Sequence, residues 1–145
     1  MKVLIDTCVV IDFLQKRKPF DKAAYQIFRY AAADTFTGYI TAKSATDIYY
    51  LMHRHTHSDQ ISRSRLNSLL SLVGMADTAS GDIFHALSSN IRDFEDAVMV
   101  ETALRSHADC IVTRNIRDYA GAGIPVYTPD EFLGQLASDQ HLTGN

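Results

Sequence analysis

Four aspartates stand where the sequence predicts strands to end or helices to begin, and carboxylates in such positions suit metal chemistry. Asp6 directly follows a short apolar run, and Asp118 lies shortly after another. Asp47 and Asp96 lie near the starts of helical patterns. Clustered carboxylates raise each other's pKa unless a cation lies among them, and ligand sets made only of oxygen favour Mg²⁺ or Mn²⁺ over zinc. In such a site these ions activate water for phosphodiester cleavage.

Each of these acids also has an ordinary structural explanation. Asp6 can cap a helix that begins near Thr7, because aspartate is a favoured N-cap residue. Asp93 can cap a later helix, and Asp96 then lies in its first turn, where the helix dipole favours negative charge. Asp47 can be an exposed or a capping acid. The metal hypothesis therefore depends on several acids reaching the same place, and no single acid carries it.

The elements that would gather these acids are strands alternating with helices. Apolar spacing typical of helices runs through residues 20–31, 48–52, 66–73 and 97–104, and Thr128 with Pro129 suits the start of a last helix. This alternation predicts a three-layer α/β/α sandwich with a central parallel sheet, whose ligands bind at the carboxyl ends of the strands. Short apolar runs with the composition of buried strands cover residues 3–5, 38–41, 74–75, 110–112 and 125–127.

Length and composition indicate one globular domain. The chain has 145 residues, of which 46% are hydrophobic and 21% charged, and we expect the domain to span residues 1–139 with residues 140–145 as a flexible tail. No apolar run approaches the ~20 residues that span a bilayer, and Asp6 interrupts the opening run too early for a signal peptide. We therefore expect a cytoplasmic protein with no membrane partner. The net charge of −3 argues weakly against a nucleic-acid binder, although bound cations would offset part of it.

Other residues of metal-binding type favour ordinary roles. Cys8 and Cys110 form no zinc pattern, and each lies in an apolar run that suits a small core residue. The run from His53 to His57 contains three histidines, but only its two ends share a helix face, so solvated side chains are the favoured interpretation. Asp12 is best interpreted as an exposed acid on a helix.

Four segments stand in a fixed order along nearly the whole chain. They are VLIDTCVVID (residues 3–12), DFEDA (93–97), ADCIVTRNIRDY (108–119) and IPVYTPDEFL (124–133). In this order they resemble the PIN-domain family, especially the VapC-type toxin ribonucleases of prokaryotic toxin–antitoxin systems and related stand-alone PIN proteins. The first and last motifs are specific, and the middle of the chain matches more weakly.

The resemblance implies a fold, an activity and a set of site residues. The fold is a parallel sheet between helices, and the activity is Mg²⁺- or Mn²⁺-dependent cleavage of single-stranded RNA. Asp6 corresponds to the central metal ligand, Asp96 to the third acid, and Asp118 completes the set. Asn115 lies beside Asp118 in this motif, and Thr113 is expected to orient a ligand.

Two positions depart from the family pattern. Asp47 stands where glutamate is usual, and its shorter side chain suggests a contact with the metal through water. Cys8 stands where asparagine or serine is frequent. These departures motivate an alternative, a non-catalytic PIN-like module that binds RNA or protein. A phosphatase acting through Asp6 is a remote third hypothesis, since Cys8 replaces the second aspartate of that pattern. In the catalytic hypothesis, Asp47 or Asp93 accepts the proton of the attacking water.

The same hypothesis assigns contacts to RNA and to partner proteins. Arg114, Arg117 and Lys43 lie near the proposed site in sequence and are predicted to contact RNA phosphates. Tyr49 and Tyr50 can stack on bases, although burial of such aromatics is more common. A toxin implies a cognate antitoxin, and the family resemblance also suggests a homodimer.

Overall fold

The computed structural model describes residues 1–143 of the chain. Five strands form one sheet in which every neighbouring pair is parallel. Helices cover both of its faces, so the predicted α/β/α sandwich is confirmed, and each of the five predicted strands is present. The strands are β1 (Lys2–Ile5), β2 (Thr37–Thr41), β3 (Gly74–Ala76), β4 (Cys110–Val112) and β5 (Val126–Tyr127).

Within residues 1–143, seven α-helices and one short 3₁₀ helix accompany the strands, and the last helix follows the last strand. The apolar spacing predicted a helix through residue 73, but the observed helix ends at Leu69 and Val73 is buried in the following turn. Helix 80–87 was not predicted, because most of its large apolar side chains are exposed and leave no clear one-sided pattern. The helices are α1 (Thr7–Leu14), α2 (Asp21–Ala32), α3 (Ala42–Thr56), α4 (Asp59–Leu69), α5 (Ser80–Leu87), α6 (Phe94–Arg105), the 3₁₀ helix Ile116–Tyr119 and α7 (Pro129–Thr143).

The last helix begins where the sequence predicted, but it continues into the predicted tail. Thr128 caps α7 as expected, since its hydroxyl accepts a hydrogen bond from the backbone N–H of Glu131 at 3.2 Å. The helix continues to Thr143, so residues 140–143 of the predicted tail are helical. Residues 144 and 145 lie outside the described part of the chain.

Alternating side chains of the strands supply two separate cores. Val3 and Ile5 of β1 point into the core formed with α1, α2, α3 and α7, whereas Leu4 points into the core formed with α5, α6 and the 3₁₀ helix. All three side chains are fully buried. Because helices cover both faces, the central strands β1 and β4 are buried and apolar apart from the exposed Lys2, as buried parallel strands usually are.

The strand order places a switch point beside β1. The order is β3-β2-β1-β4-β5, so the chain builds outward on one side of β1 and then returns to build on the other. Ile5 pairs with Val112 across β1 and β4, and the backbone N–H of Asp6 donates to the Val112 carbonyl at 3.0 Å. In open α/β sheets the crevice at the carboxyl side of such a switch point is the usual ligand site.

None of the helices within residues 1–143 has the length and apolar character needed to cross a membrane.

A buried carboxylate joins α5 to α6. Asp82 is 2% exposed and accepts hydrogen bonds from the Ala79 N–H (2.9 Å), the Thr102 hydroxyl (2.8 Å) and two nitrogens of Arg105 (2.9 and 3.0 Å). Burial alone would raise the pKa of Asp82, but the hydrogen bonds, that from Arg105 foremost, hold it below its ordinary value. The ionised form of Asp82 therefore stabilises the packing of α6.

We expect Asp82→Ala to lower the free energy of unfolding by about 2 kcal/mol at pH 7, because the buried Thr102 hydroxyl and the Ala79 N–H lose their acceptor and the partly exposed Arg105 loses its charged partner. The pKa of Asp82 is lower in the folded chain than in the unfolded chain. Its contribution is therefore present above the unfolded value, and it is lost as pH falls below about 4. Urea unfolding at pH 7 and pH 3 should show a large difference between variant and wild type that shrinks in acid. The exposed Asp77→Ala is the control, since it keeps the backbone carbonyl that accepts from Arg105 and removes only a carboxylate whose charge acts on Arg105 less than that of Asp82. An equal effect of Asp82→Ala at both pH values would contradict this account.

Candidate functional site

Asp6 is buried at the carboxyl end of β1, at the switch point. It is the N-cap of α1, and its Oδ1 accepts a hydrogen bond from the Thr7 N–H at 2.8 Å. Its Oδ2 accepts from the Thr113 hydroxyl at 2.7 Å. Only 8% of the residue is exposed, and burial raises its pKa, although these hydrogen bonds offset part of the effect. Asp6 therefore caps α1 and at the same time belongs to a polar cluster at the end of β1.

Two neighbours determine how Asp6 is oriented. Thr113 is fully buried at the end of β4, and its hydroxyl also accepts a hydrogen bond from the Asn115 N–H at 3.1 Å. The Cys8 sulfur lies 3.7 Å from Asp6 Oδ2 and 3.8 Å from the Thr113 hydroxyl. Burial raises the pKa of the Cys8 thiol to about 11, so it stays protonated and can act as a weak donor. Cys8 therefore supports a polar cluster and does not simply fill the core.

Asp96 lies in the first turn of α6 and shares its surroundings with Asp6. Asp93 caps this helix by accepting a hydrogen bond from the Asp96 N–H at 3.0 Å, as the sequence suggested. Burial, followed by the charges of Asp6 and Asp93 and then of Asp118, raises the pKa of Asp96 to about 7. The Tyr119 hydroxyl donates to Asp96 Oδ1 at 3.1 Å. The carboxylate of Asp6 therefore lies close enough for its charge to act on Asp96.

Tyr119 was not predicted as a site residue from the sequence. This tyrosine is 2% exposed, and burial together with the charges of Asp6 and Asp96 raises the pKa of its hydroxyl above the ordinary value. The hydroxyl therefore keeps its proton and remains a donor to Asp96. The available signal was its place directly after Asp118 in the closing motif, but an aromatic there is equally typical of a core residue.

Both acids line one open pocket of about 330 Å³, which we call the acidic pocket. Lys43 lies inside it, with its Nζ 2.5 Å from Asp47 Oδ2 and 3.2 Å from Glu95 Oε2. The ammonium group of Lys43 therefore neutralises part of the negative charge of the pocket and links α3 to α6. The lining residues are Asp6, Thr7, Thr41, Lys43, Ser44, Asp47, Tyr50, Leu51, Arg54, Glu95, Asp96, Val98 and Met99.

The other predicted residues reach this pocket to different extents. Asp47 lines it from the second turn of α3, whose cap is Thr41, so the capping explanation of Asp47 is wrong. Asp118 lies outside the lining and contributes the smallest of the charges that raise the pKa of Asp96. Asn115 and Arg117 are exposed on the loop that follows β4. The catalytic and ligand roles of these residues stay predictions.

Arg114 does not extend freely toward a substrate. Its guanidinium contacts Asp12 at 2.6 and 3.3 Å and lies over the Phe20 ring, 4.0 Å from the centroid. Asp12 is 1% exposed, so its interpretation as an exposed helix acid is wrong. Nothing in one sequence indicates this pairing, because the two residues lie on separate motifs. The predicted phosphate contact of Arg114 would have to compete with a buried carboxylate.

The donor set of the acidic pocket fits a hard cation with an incomplete protein shell. Within residues 1–143, no group of three histidine, cysteine, aspartate or glutamate side chains is arranged to hold a metal ion. Two converging carboxylates, Asp6 and Asp96, nevertheless match the way Mg²⁺ is commonly bound, by one or two carboxylates with water and substrate oxygens completing the shell. A cation between them would also offset the charge of Asp6, which helps to raise the pKa of Asp96.

The fold and the pocket together define an α/β/α domain with carboxylates at the switch point of its parallel sheet. A family model described as the PIN domain matches residues 2–117, and the chain belongs to this family. No curated protein shows significant sequence similarity to the chain.

Solved structures with the same fold cover most of the chain. The VapBC2 complex of Rickettsia felis, bound to a promoter DNA fragment, aligns with a TM-score of 0.67 and 16% identity over 88% of this chain and 97% of that one. A toxin–antitoxin complex from Klebsiella pneumoniae aligns with a TM-score of 0.65 and 22% identity over 88% of this chain and 97% of that one. VapC20 of Mycobacterium tuberculosis, a toxin that cleaves the sarcin–ricin loop, aligns with a TM-score of 0.60 and 12% identity over 75% of this chain and 86% of that one. At these identities the likeness concerns the fold.

Proposed function

We propose that this protein is a divalent-cation-dependent endoribonuclease that hydrolyses phosphodiester bonds of single-stranded RNA. The observation that carries the proposal is that Asp6 and Asp96 line one open pocket, where burial raises the pKa of both carboxyls and the charge of Asp6 raises the pKa of Asp96 further. Membership of the PIN-domain family supports it, as does the shared fold with a toxin that cleaves the sarcin–ricin loop.

Asp6 and Asp96 would hold the cation, for which Mg²⁺ or Mn²⁺ is proposed because the donors are oxygen atoms. When bound, the cation supplies a Lewis acid for the phosphoryl oxygen and lowers the pKa of an attacking water. Thr113 holds one oxygen of Asp6 and Tyr119 holds one oxygen of Asp96, so each carboxylate presents its remaining electron pairs in a defined direction. Asp118 is proposed to complete the set through water.

Residues on α3 are proposed to handle the proton and the charge of the reaction. Asp47 lines the pocket and is the preferred acceptor for the proton of the attacking water, whereas Asp93 is engaged as a helix cap. Lys43 pairs with Asp47, and exchange of that partner for a substrate phosphate would free the Asp47 carboxylate. Arg117 is exposed and remains a proposed phosphate contact.

We further propose that the protein is the toxin of a toxin–antitoxin pair, with a cognate antitoxin, a homodimeric state and a cytoplasmic location. This rests on the fold shared with the Rickettsia felis and Klebsiella pneumoniae complexes. The competing function is a non-catalytic PIN-like module that binds RNA or protein. It is favoured by Asp47 and Cys8 at positions where the family usually carries other residues.

The test is cleavage of an end-labelled single-stranded RNA in Mn²⁺ or Mg²⁺, followed on a denaturing gel. We expect cleavage by the wild-type chain, loss in EDTA, and a reduction of about 100-fold or more in Asp6→Asn, since removal of a ligand should cost at least as much as removal of its supporting contacts. Asp34→Asn is the matched control, because this exposed acid precedes β2 at the opposite edge of the sheet. Equal cleavage by Asp6→Asn would rule out the site, and absence of divalent-ion binding would favour the non-catalytic module.

A further inference from the structure

Tyr50 and Arg54 continue the acidic pocket along one face of α3. They are four residues apart, so they lie one helical turn from each other, and both belong to the pocket lining together with Asp47 and Leu51. Tyr50 is 67% exposed, so most of its surface beside the pocket is open to solvent. Arg54 is exposed and forms no ion pair with any residue in the described range 1–143.

The ring of Tyr50 packs on a neighbour that is itself held in place. Tyr49 contacts it edge to face, with ring centroids 5.2 Å apart and an interplanar angle of 82°. The Tyr49 hydroxyl donates to Asp59, and His53 stacks on the Tyr49 ring at 5.9 Å. Arg63 in turn contacts Asp59 at 3.0 Å. Tyr50 therefore has a supported ring with most of its surface in solvent.

The charges around the pocket explain why a separate binding element is needed there. Asp6, Asp96, Asp47 and Glu95 are acidic, and Lys43 is already paired with two of them. A polyanionic strand would therefore be repelled unless contacts beyond the acids attract it. An aromatic ring provides such a contact without sequence preference, because every base has a π-face, and an unpaired arginine provides a phosphate contact.

We propose that Tyr50 is a stacking platform for a nucleobase next to the scissile phosphodiester, and that Arg54 binds a phosphate of the same RNA strand. The inference rests on the proposed ribonuclease function and identifies a substrate subsite at that pocket. It requires single-stranded RNA, because only unpaired bases can leave the stack to contact a protein ring.

The platform is tested by fluorescence anisotropy with a labelled 12-nucleotide oligouridine and an abasic ribose-phosphate oligomer of equal length, both in EDTA so that cleavage is absent. We expect Tyr50→Ala to weaken binding of oligouridine about tenfold, within the range measured for single stacked bases. Binding of the abasic oligomer should not change. Tyr50→Phe should keep wild-type affinity, since the ring remains. Tyr25→Ala is the matched control, because Tyr25 is 55% exposed on α2 and lies outside the acidic pocket.

The arginine is tested by salt dependence of the same binding. Arg54→Gln should weaken binding of both oligomers and reduce the slope of log affinity against log salt by about 0.7, the value for one phosphate contact on a single strand. The exposed Arg65→Gln on α4 is its control and should leave the slope unchanged. Thermal unfolding of each variant should match the wild type, since these side chains are exposed.

The outcomes separate this inference from the proposed function. Unchanged oligouridine binding by Tyr50→Ala, in a chain that cleaves RNA with Mn²⁺, overturns the platform and leaves the ribonuclease in place. Base-dependent binding that Tyr50→Ala removes, in a chain that cleaves nothing, supports the platform and overturns the ribonuclease. Failure of the wild-type chain to bind oligouridine more tightly than the abasic oligomer overturns the platform in either case.

Discussion

Asp96→Asn is expected to make the metal-free protein more stable while it abolishes cleavage. Asp96 is ionised at pH 8 beside Asp6 and Asp93, and these charges together with burial raise its pKa to about 7. Asparagine has nearly the same shape, and its carbonyl can still accept the hydrogen bond from Tyr119. Removal of the charge therefore removes first the cost of burying it and then the repulsion from Asp6 and Asp93, and it keeps the packing. The proposed cation would lose one of its two carboxylates, so cleavage should fall about 100-fold or more.

The sign of the stability change follows from the direction of the pKa shift. The pKa of Asp96 is higher in the folded chain than in the unfolded chain. Ionisation therefore opposes folding, and the penalty grows as pH rises from about 4 to about 7 and is constant above that. A shift of roughly three units sets an upper bound of about 4 kcal/mol at about 1.4 kcal/mol per unit. Asp96 is partly exposed, so solvent screening should reduce the gain to about 2 kcal/mol.

Urea unfolding in EDTA at pH 8 and pH 4.5 measures this prediction. The stability difference between Asp96→Asn and wild type should be clear at pH 8 and should narrow at pH 4.5. Asp34→Asn serves as control and should behave like the wild type at both pH values. Addition of Mn²⁺ should stabilise the wild type and not the variant, because a ligand stabilises only the chain that binds it. A variant less stable than wild type at pH 8 would falsify the proposed repulsion.

Arg114→Leu is expected to destabilise the protein by about 3 kcal/mol or more, because it leaves the buried carboxylate of Asp12 without its main partner. Arg17 cannot replace it, since its Nε lies 3.9 Å from Asp12 and its side chain is half exposed. Arg114→Lys should recover only part of the loss, because lysine lacks the forked contact to Asp12 and the planar contact with Phe20. Arg117→Leu should change stability by less than about 0.5 kcal/mol, as exposed positions usually do.

A double variant separates charge burial from packing. Asp12→Leu combined with Arg114→Leu removes both charges, and we expect it to be more stable than Arg114→Leu alone. Denaturant midpoints of Arg114→Leu and of the double variant provide the comparison. If Arg114→Leu instead keeps wild-type stability and loses only RNA affinity, the phosphate contact predicted from the sequence would be favoured over the structural role.

Much of the fold was predictable because its local patterns agree with the final structure. The five strands are short apolar runs followed by polar residues, and both faces of the sheet are buried, so the runs needed no alternation to be recognised. Helix ends were less predictable. The pattern at residues 66–73 continues past Leu69 because Val73 is buried by the turn and not by a helix, and α5 was hidden by exposed apolar side chains such as Phe84.

The site was predictable only in part. The sequence shows which acids follow strands or begin helices, but it does not give the distances between them. Asp6 and Asp96 line the same pocket, whereas Asp118 remains outside the pocket lining, and the ligand roles of all three stay predictions. The charged partners were not predictable. Lys43 could be expected to bind phosphate, yet it pairs with Asp47 and also with Glu95 from a different helix.

The amino-acid sequence by itself determined which residues form strands and which acids follow them, because periodicity, turn chemistry and capping act over a few neighbouring residues. Tertiary structure decided the order of the strands, with β1 between β2 and β4. That order brings Thr113 to Asp6 and Tyr119 to Asp96. The tertiary structure also decided which charges are buried, as in the pairing of Asp12 with Arg114. The physical reason is that burial and Coulomb interactions depend on distances in space, which local sequence patterns do not contain.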